Sequence, residues 1–364
     1  MRLGVYGTGK RAAECADRLE SGNEIIFYVQ TNPDRNMYHG YPVIKADDID
    51  YAQIDCLVVC VDSGREDIMR HLSTNDPKWG QHREKVVHYF DLLYGAWTQA
   101  KKLMPYRSVE TACGLKFVFN SEDELIAREM LVSGRIFTEK NIDAFFRYCV
   151  EKCGYSGQEE GVFLDIGANV GTTAIYVKKR LAPQLQVYAI EACRETFDTL
   201  RMNLIANDAE EIVPSLCGIS DKDGTAAYTL CDGNWGGTAL REDPSGGVRM
   251  ITLDQYVESM GIDAQEVRYI WMDIEGYEAK ALLGAEKLLR SHKIPLFQEF
   301  NPDCYERQGI DKKYVQIIQA QYERMIVFFP ERFGGHMEMQ VSDLQRVREQ
   351  MAELRLAQTD ILFI

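Results

Sequence analysis

Long apolar runs are missing from this 364-residue sequence, and no stretch is long enough to span a bilayer as a helix. The N-terminal residues 1–6 pass directly into a strand-like pattern, without the cleavage site of a secretory signal. We therefore expect a cytoplasmic protein that has no membrane partner.

Basic residues are also scarce. The chain has 41 Lys and Arg against 56 Asp and Glu, which gives a formal net charge of −15. Contacts with phosphates need clustered Lys and Arg, so this balance argues against nucleic acid and anionic membranes as partners. A chain of 364 residues can bury a large core and is typical of about two domains. The class that remains is a soluble acidic enzyme.

The ten cysteines include no Cys-x-x-Cys pair, and a chain of this length does not need disulfides as staples. Cys149 and Cys153 share one predicted helix face with Ile142, Phe145 and Val150. This grouping predicts reduced thiols in a core rather than a metal site.

An apolar strand runs into an acid and two glycines over residues 163–173, Phe-Leu-Asp-Ile-Gly-Ala-Asn-Val-Gly-Thr-Thr, and then opens a helix. A strand, a glycine turn and a helix in this order are typical of nucleotide-like cofactor sites. Here Gly-x-x-x-Gly replaces the Gly-x-Gly-x-x-Gly that binds a pyrophosphate, and Asp165 at the strand end would repel a phosphate. The ligand is therefore predicted to be cationic.

A second apolar strand, residues 186–191, ends in Glu191 about 20 residues beyond the glycine turn, where a carboxylate can accept both ribose hydroxyls. A ribose and a positive charge together describe S-adenosylmethionine. Asp165 alone could simply cap the following helix. The combination of Asp165, two glycines and Glu191 favours the cofactor site.

These residues resemble the FkbM family of S-adenosylmethionine-dependent methyltransferases. The resemblance continues in Ile-Thr-Leu-Asp at 251–254 and in Trp-Met-Asp-Ile-Glu-Gly-Tyr-Glu at 271–278, so that four blocks follow the family order. It implies an α/β fold: a class I methyltransferase Rossmann-like sheet with an antiparallel C-terminal hairpin. Within it we predict strands at 162–166, 186–191, 212–216, 268–274, 294–300, 322–329 and 359–364, and a hairpin insertion at 217–248.

The resemblance also implies a role for each matching cofactor residue. Asp165 would face the methionine ammonium, the glycines would let the backbone approach the cofactor, and Glu191 would hold the ribose. Many relatives place a polar or acidic residue against adenine after the third strand, where this chain has Cys217 and Gly218. The predicted cofactor-binding set is Asp165, Gly167, Asn169, Gly171, Glu191, Cys217 and Gly218.

The predicted catalytic residues are Asp273, Glu275 and Glu299. Asp273 and Glu275 follow the fourth strand, and Glu299 and Asn301 follow the fifth, so both pairs are expected at the carboxyl edge of the sheet. Two mechanisms stay open. Asp273 or Glu299 takes a hydroxyl proton, which we favour, or Asp273, Glu299 and Asn301 bind Mg²⁺ and thereby lower the pKa of the hydroxyl.

Two further details qualify this set. Glu275 could have only a structural role, in which its negative charge stabilises the following helix through the helix dipole. Trp271 stands where the family often has a lysine. If that lysine contacts the acceptor in the relatives, the acceptor of this protein is predicted to differ from theirs.

The N-terminal half begins with a second nucleotide-like pattern. Residues 3–12, Leu-Gly-Val-Tyr-Gly-Thr-Gly-Lys-Arg-Ala, predict a strand, a glycine turn and a helix. After the next strand, 24–29, a dinucleotide site would have an acid, whereas this chain has Gln-Thr-Asn at 30–32, which argues against an NAD-dependent oxidoreductase. This half resembles the Rossmann-like modules attached to sugar-modifying enzymes. A sugar-nucleotide or partner-binding module and a degenerate structural domain remain equal alternatives.

We thus predict three regions: a Rossmann-like module (1–90), a helical connector (91–160) and a methyltransferase domain (161–364). The predicted activity is O-methyl transfer to a hydroxyl of a sugar, glycoconjugate or secondary metabolite, so the expected partner is a small-molecule or glycan acceptor. The alternative is a non-catalytic protein that binds a nucleotide or nucleotide-sugar. The oligomeric state stays open, and a homo-oligomer is compatible with the sequence.

Overall fold

The computed structural model describes residues 1–61, 64–75, 79–100, 104–330 and 335–364, with the backbone alone for 96–100. The chain forms two compact units, Met1–Arg107 and Ser108–Ile364. The predicted connector over 91–160 is not a separate body in this division, because 91–107 belong to the first unit and 108–160 to the second.

The first unit is an α/β sheet with the strand order β3-β4-β2-β1-β5-β6. All neighbouring strands are parallel except β3 and β4. The strands are β1 Arg2–Tyr6, β2 Glu24–Gln30, β3 Met37–Tyr38, β4 Tyr41–Lys45, β5 Cys56–Val59 and β6 Val86–His88. The helices are α1 Lys10–Glu20, α2 Arg65–Asn75, α3 Trp79–His82 and α4 Tyr89–Ala100.

Gln30 stands at the end of β2, where a dinucleotide site would have its acid. Its side-chain amide donates a hydrogen bond to the Thr8 hydroxyl on the glycine turn, at 2.6 Å. Its carbonyl oxygen accepts from the backbone N–H of Asp34, at 3.1 Å. The side chain is therefore bonded within the unit itself.

The second unit contains the main sheet, in the order β11-β10-β9-β16-β17-β20-β18-β19. Its strands are β9 Gly161–Ile166, β10 Leu185–Glu191, β11 Val213–Leu216, β16 Val267–Met272, β17 Leu296–Phe300, β18 Arg324–Phe328, β19 His336–Gln340 and β20 Thr359–Phe363. Five neighbouring strands of this sheet are parallel to one another: β11, β10, β9, β16 and β17. Their carboxyl ends therefore meet at one edge, as the α/β prediction requires.

The predicted antiparallel strands at the C-terminal end of the sheet are confirmed, but the chain between them does not form a simple hairpin. β20 pairs antiparallel with both β17 and β18, and so lies between them. The two predicted strands are not a simple hairpin, because β19 and a helix, α14 Leu344–Leu354, come between them in the chain. β19 was not predicted, since its five residues are mostly polar or exposed.

A smaller sheet in the order β12-β15-β13-β14 forms the insertion predicted over 217–248. Its strands are β12 Gly218–Ser220, β13 Gly224–Tyr228, β14 Leu240–Glu242 and β15 Val248–Thr252. β13 and β14 pair antiparallel, which confirms the predicted hairpin. Between them, a 3-10 turn at Trp235–Gly237 returns the chain toward the main sheet.

The helices of the second unit cover the main sheet. They are α5 Leu125–Ser133, α6 Glu139–Cys153, α7 Thr172–Tyr176, α8 Arg194–Ala206, α9 Leu253–Ser259, α10 Glu278–Leu283, α11 Glu286–Ser291, α12 Pro302–Arg307, α13 Asp311–Gln321 and α14. The amphipathic helix predicted over 138–153 is α6. Its buried Phe145 packs edge-on against Trp271 and Phe297 of the sheet.

The residues predicted as a helical connector also contain a two-stranded sheet, β7 Tyr106–Glu110 and β8 Lys116–Asn120. Two asparagines, one within α8 and one directly after its last residue, hold β8 in place. Asn203 accepts a hydrogen bond from the Val118 backbone N–H at 2.6 Å, and Asn207 accepts from that of Lys116 at 2.9 Å. These bonds are made across 85 and 91 residues of chain, so local helical periodicity could not indicate them.

None of the described helices combines the length and apolar character that crossing a membrane requires. All ten cysteines are free thiols. Cys149 is buried in α6, as predicted, and Cys153 is partly buried.

Candidate functional site

An open cleft of about 880 Å³, a volume that includes its mouth, lies at the carboxyl ends of β9, β10 and β16. Seven of the predicted site residues line it: Gly167, Asn169, Glu191, Cys217, Gly218, Asp273 and Glu275. Asp165, Gly171 and Glu299 do not line the cleft, and neither does Asn301.

Gly167 is the point at which two loops of the cleft meet most closely. Its φ is +86°, and an added Cβ would lie 1.7 Å from the carbonyl oxygen of Asp273. The backbone N–H groups of Gly167 and Ala168 both donate to the Ile190 carbonyl, each at 2.9 Å. Only glycine combines this conformation with this approach, so Gly167 fixes the distance between the β9 and β16 loops.

Gly171 precedes α7 and does not line the cleft. Its φ is +88°, and an added Cβ would lie 2.5 Å from Cδ1 of Leu200 in α8. Packing between the turn and α8 therefore favours glycine here, and the part of Gly171 in cofactor binding stays a prediction.

Glu191 is bonded to the turns around it. One carboxylate oxygen accepts from the Asn169 N–H at 2.8 Å, and the other accepts from the Cys193 N–H at 2.7 Å. Burial raises the pKa of Glu191, and the hydrogen bonds from Cys193, Thr196 and Asn169 oppose the rise. A carboxylate has about four lone pairs, so both oxygens can still accept further bonds from the cleft.

Asp165 lies behind the glycine turn and is 1% exposed. By ordinary hydrogen-bond geometry, neither carboxylate oxygen has a partner. Burial is the main cause that raises its pKa to about 8; the charges of Asp273 and Glu191 contribute to this rise, and the nearby Ala174 backbone amide opposes it. A buried acid with no partner is costly in its charged form, and a nearby cation would remove that cost.

This burial leads to a first prediction, for Asp165→Asn. An acid whose pKa is raised on folding stabilises the protein only below its unfolded pKa of about 3.9, and that contribution is lost as the pH rises toward 8. We expect denaturant unfolding between pH 4 and 8 to show that wild-type stability falls relative to the variant, by at most about 1.4 kcal/mol per pH unit. Exposed Asp303→Asn is the control; equal slopes for all three proteins would contradict the prediction.

Asp273 and Glu275 carry the carboxyl groups that open into the cleft from β16. The side chain of Asp273 is exposed to the cavity, but it lies deep in the fold with protein around it. This surrounding protein, and then the charge of Glu191, raise its pKa to about 6. Glu275 is partly buried; burial, then Asp273 and Glu278, raise its pKa to about 8. Its φ is +53°, a left-handed conformation that is uncommon outside glycine.

Glu299 lies within β17 rather than after it, and β20 covers it. It is 7% exposed, and one oxygen accepts from the side-chain amide of Gln358 while the other has no partner. Asp360 is its neighbour across the sheet. Burial, then the charges of Asp273, Glu275, Glu278 and Asp360, raise the pKa of Glu299 to about 10.

The three predicted magnesium ligands are not assembled as a ligand set. Asn301 caps α12, since its side-chain oxygen accepts from the Cys304 N–H at 3.2 Å, and Glu299 lies outside the cleft. Within the described part of the chain, no three His, Cys, Asp or Glu side chains are grouped as a metal ion would require.

Residues 165–344 match the family model of the methyltransferase FkbM domain. This part of the chain belongs to the FkbM methyltransferase family.

Similar proteins include Methyltransferase sdnD of Sordaria araneosa, with 39% identity over 150 residues. That match covers 41% of this chain and 52% of the relative, so the chain spans about half of its length. The crystal structure of Methyltransferase FkbM from Methylobacillus flagellatus KT aligns over 100% of this chain and 90% of its own, with 15% identity and a TM-score of 0.38. Precorrin-6y C5,15-methyltransferase from Geobacter metallireducens GS-15 aligns over 63% and 89%, with 10% identity and a TM-score of 0.34.

The FkbM domain has a cleft wall that sequence reasoning did not identify. Trp235, Gly236 and Thr238 of the insertion line it. The Trp235 N–H donates to the buried carboxylate of Asp123 at 3.0 Å, which ties the turn to the segment before α5. The Asn-Trp-Gly-Gly sequence did indicate a turn, in an insertion predicted to lie near the cofactor, but not which of its residues would line the cleft.

Phe137, Thr138 and Trp271 line the cleft as well. Trp271 stacks on Phe297 with ring centroids 3.8 Å apart. The Trp271 side chain is only 4% exposed, so most of it belongs to the aromatic core around Phe297.

Proposed function

We propose that the FkbM domain binds S-adenosylmethionine and transfers its methyl group to a hydroxyl of a sugar, glycoconjugate or secondary metabolite. The observation that supports this most is the arrangement of three acids around the cleft. Asp165 lies buried without a partner behind the glycine turn, outside the cleft lining, whereas Asp273 and Glu275 open to the cavity. A cationic cofactor and an acceptor that gives up a proton would use these two kinds of acid.

The residues present fit the cofactor. Asp165 offers an uncompensated carboxyl group for the methionine ammonium, directly or through water, and Glu191 retains lone pairs for the ribose hydroxyls. Gly218 lines the cleft with Cys217, and an added Cβ would lie 2.4 Å from Met250 Sδ, so the wall at this point must be backbone. Bound S-adenosylmethionine supplies an electrophilic methyl group on a sulfonium.

The three predicted catalytic acids are expected to differ in protonation. With a pKa of about 6, Asp273 is ionised at neutral pH and open to the cleft, which suits a general base near its working pH. With a pKa of about 8, Glu275 is protonated and can donate a hydrogen bond that orients the acceptor. Glu299, with a pKa of about 10 and a place outside the cleft, would not take the proton.

Transfer of labelled methyl groups to a panel of hydroxyl acceptors tests this function. The panel contains neutral sugars, glycosides and phenols, with amines and thiols of similar size as controls. We expect label to appear in a product that is stable to base, as an ether is, and to depend on the hydroxyl. Label in the amine or thiol set alone would contradict O-methyl transfer.

A second prediction concerns metal ions. Since Asn301 is used as a helix cap and Glu299 is covered by β20, we expect methyl transfer to be unchanged after dialysis against a chelator. A loss of activity that Mg²⁺ restores would instead support the divalent-ion mechanism and assign Asp273 to the metal.

A further inference from the structure

Glu278, the first residue of α10, is fully buried, with 0% exposure, and is bonded backward to the turn before it. Its Oε1 accepts from the backbone N–H of Ile274 at 3.0 Å and from that of Gly276 at 3.3 Å. These two amides flank Glu275. A residue whose only role was to interact with the helix dipole would need neither of these hydrogen bonds.

The turn that Glu278 holds has an unfavourable backbone conformation. Glu275 has φ of +53° and Gly276 has φ of +92°. The left-handed region is unfavourable for a non-glycine residue, so the turn needs contacts that keep it there. The side chain of Gln308 donates to the Gly276 carbonyl at 2.9 Å and adds a third such contact.

Tyr305 connects Glu278 to the neighbouring strand. Its hydroxyl lies 3.2 Å from Glu278 Oε2 and 3.1 Å from the Glu299 carbonyl of β17, and can donate its proton to either oxygen. The side chain of Gln298 donates to the hydroxyls of Tyr305 and Tyr314, at 3.4 and 3.0 Å. Buried polar groups of this kind are stable only when partnered, so the turn after β16 and the strand β17 are held in register.

We infer that Glu278 is a positioning residue: held by Tyr305, its carboxyl group fixes the turn at 273–276 and thereby the places of Asp273 and Glu275 in the cleft. The inference rests on the proposed function for what those two acids do. The turn also packs on the glycine loop, since the Asp273 carbonyl lies where a Cβ of Gly167 would be. Loosening the turn should therefore disturb the cofactor side of the cleft as well.

Hydrogen exchange of the peptide that spans residues 272–278, together with calorimetric titration of S-adenosylhomocysteine, tests the inference in the full-length protein. For Glu278→Ala we expect exchange at the turn to be about tenfold faster and binding about tenfold weaker, because the variant loses both hydrogen bonds to the turn amides. Glu278→Gln keeps an acceptor oxygen for both amides and should stay within about threefold of wild type for both measurements.

Tyr305→Phe keeps Glu278 and removes the bond to its Oε2, so we expect a smaller acceleration, about threefold, at the same peptide. Tyr314→Phe removes a buried hydroxyl from the same polar group without a bond to Glu278, and should leave the turn unchanged. If Glu278→Ala does not fold, the comparison of Tyr305→Phe with Tyr314→Phe decides. Equal exchange in those two variants, or wild-type exchange and affinity in a folded Glu278→Ala, would overturn the inference.

Failure of the proposed function gives a different result. In that case the wild-type protein itself does not bind S-adenosylhomocysteine, while the exchange measurement still reports whether Glu278 holds the turn.

Discussion

Gly167→Ala is expected to abolish cofactor binding and to destabilise the second unit by roughly 2 to 5 kcal/mol. The added Cβ would lie 1.7 Å from the oxygen and 2.7 Å from the carbon of the Asp273 carbonyl, and the residue would keep a φ of +86°. The turn after β9 and the turn after β16 would have to separate. Both turns line the cleft, so the loss of stability and the loss of binding have one cause. Urea unfolding and titration with S-adenosylhomocysteine measure the two effects.

Gly134→Ala is the matched control for this prediction. Gly134 has a φ of +69°, but nothing lies within 4 Å of an added Cβ. It should therefore show only the cost of the left-handed conformation, about 1 to 2 kcal/mol, and normal binding. If Gly167→Ala behaved in the same way as Gly134→Ala, the close approach of the two turns would not exist in solution.

Asp273→Asn is expected to lower turnover by about 10² to 10⁴, which is the usual contribution of a general base. The amide keeps the size of the side chain but cannot take a proton. Because the pKa of Asp273 is raised to about 6, wild-type turnover should rise with pH through about 6 and level off above it, as the base becomes ionised. The variant should lose this acid limb.

Binding separates a catalytic effect of Asp273→Asn from a collapse of the cleft. We expect the affinity for S-adenosylhomocysteine to change by no more than a few-fold. Exposed Asp303→Asn, in the first turn of α12, removes a carboxylate from the same half of the chain and should leave turnover and its pH profile unchanged. A fully active Asp273→Asn would remove Asp273 from the mechanism.

The strand ends were predictable from the sequence because each combines an apolar run with a polar residue at its end. Asp165, Glu191 and Asp273 each follow this pattern, and parallel strands bring such ends to one edge. Glu191 and Asp273 line the cleft for that reason, while Asp165 lies behind the glycine turn.

Other features depend on contacts between distant parts of the chain, which local patterns do not contain. Glu299 has Asp360 of β20, about 60 residues farther along, as its neighbour across the sheet. Strand β8 is held by Asn203 of α8 and by Asn207 directly after that helix. The Trp235 turn reaches the cleft because Asp123, more than 100 residues earlier, accepts its N–H. The packing of Leu200 against Gly171 was not predictable either, because a glycine at a turn does not show which neighbour requires the space.

Calorimetric titration of the full-length protein with S-adenosylhomocysteine tests the central claim most directly, since it needs no knowledge of the acceptor. The cleft and the unpartnered carboxyl group of Asp165 predict one-to-one binding in the micromolar range. The double variant Asp165→Ala and Glu191→Ala should be folded and should not bind. Two results would contradict the assignment of this cleft to the cofactor. One is that folded wild-type protein gives no heat of binding and no thermal stabilisation, and the other is that the double variant binds with unchanged affinity.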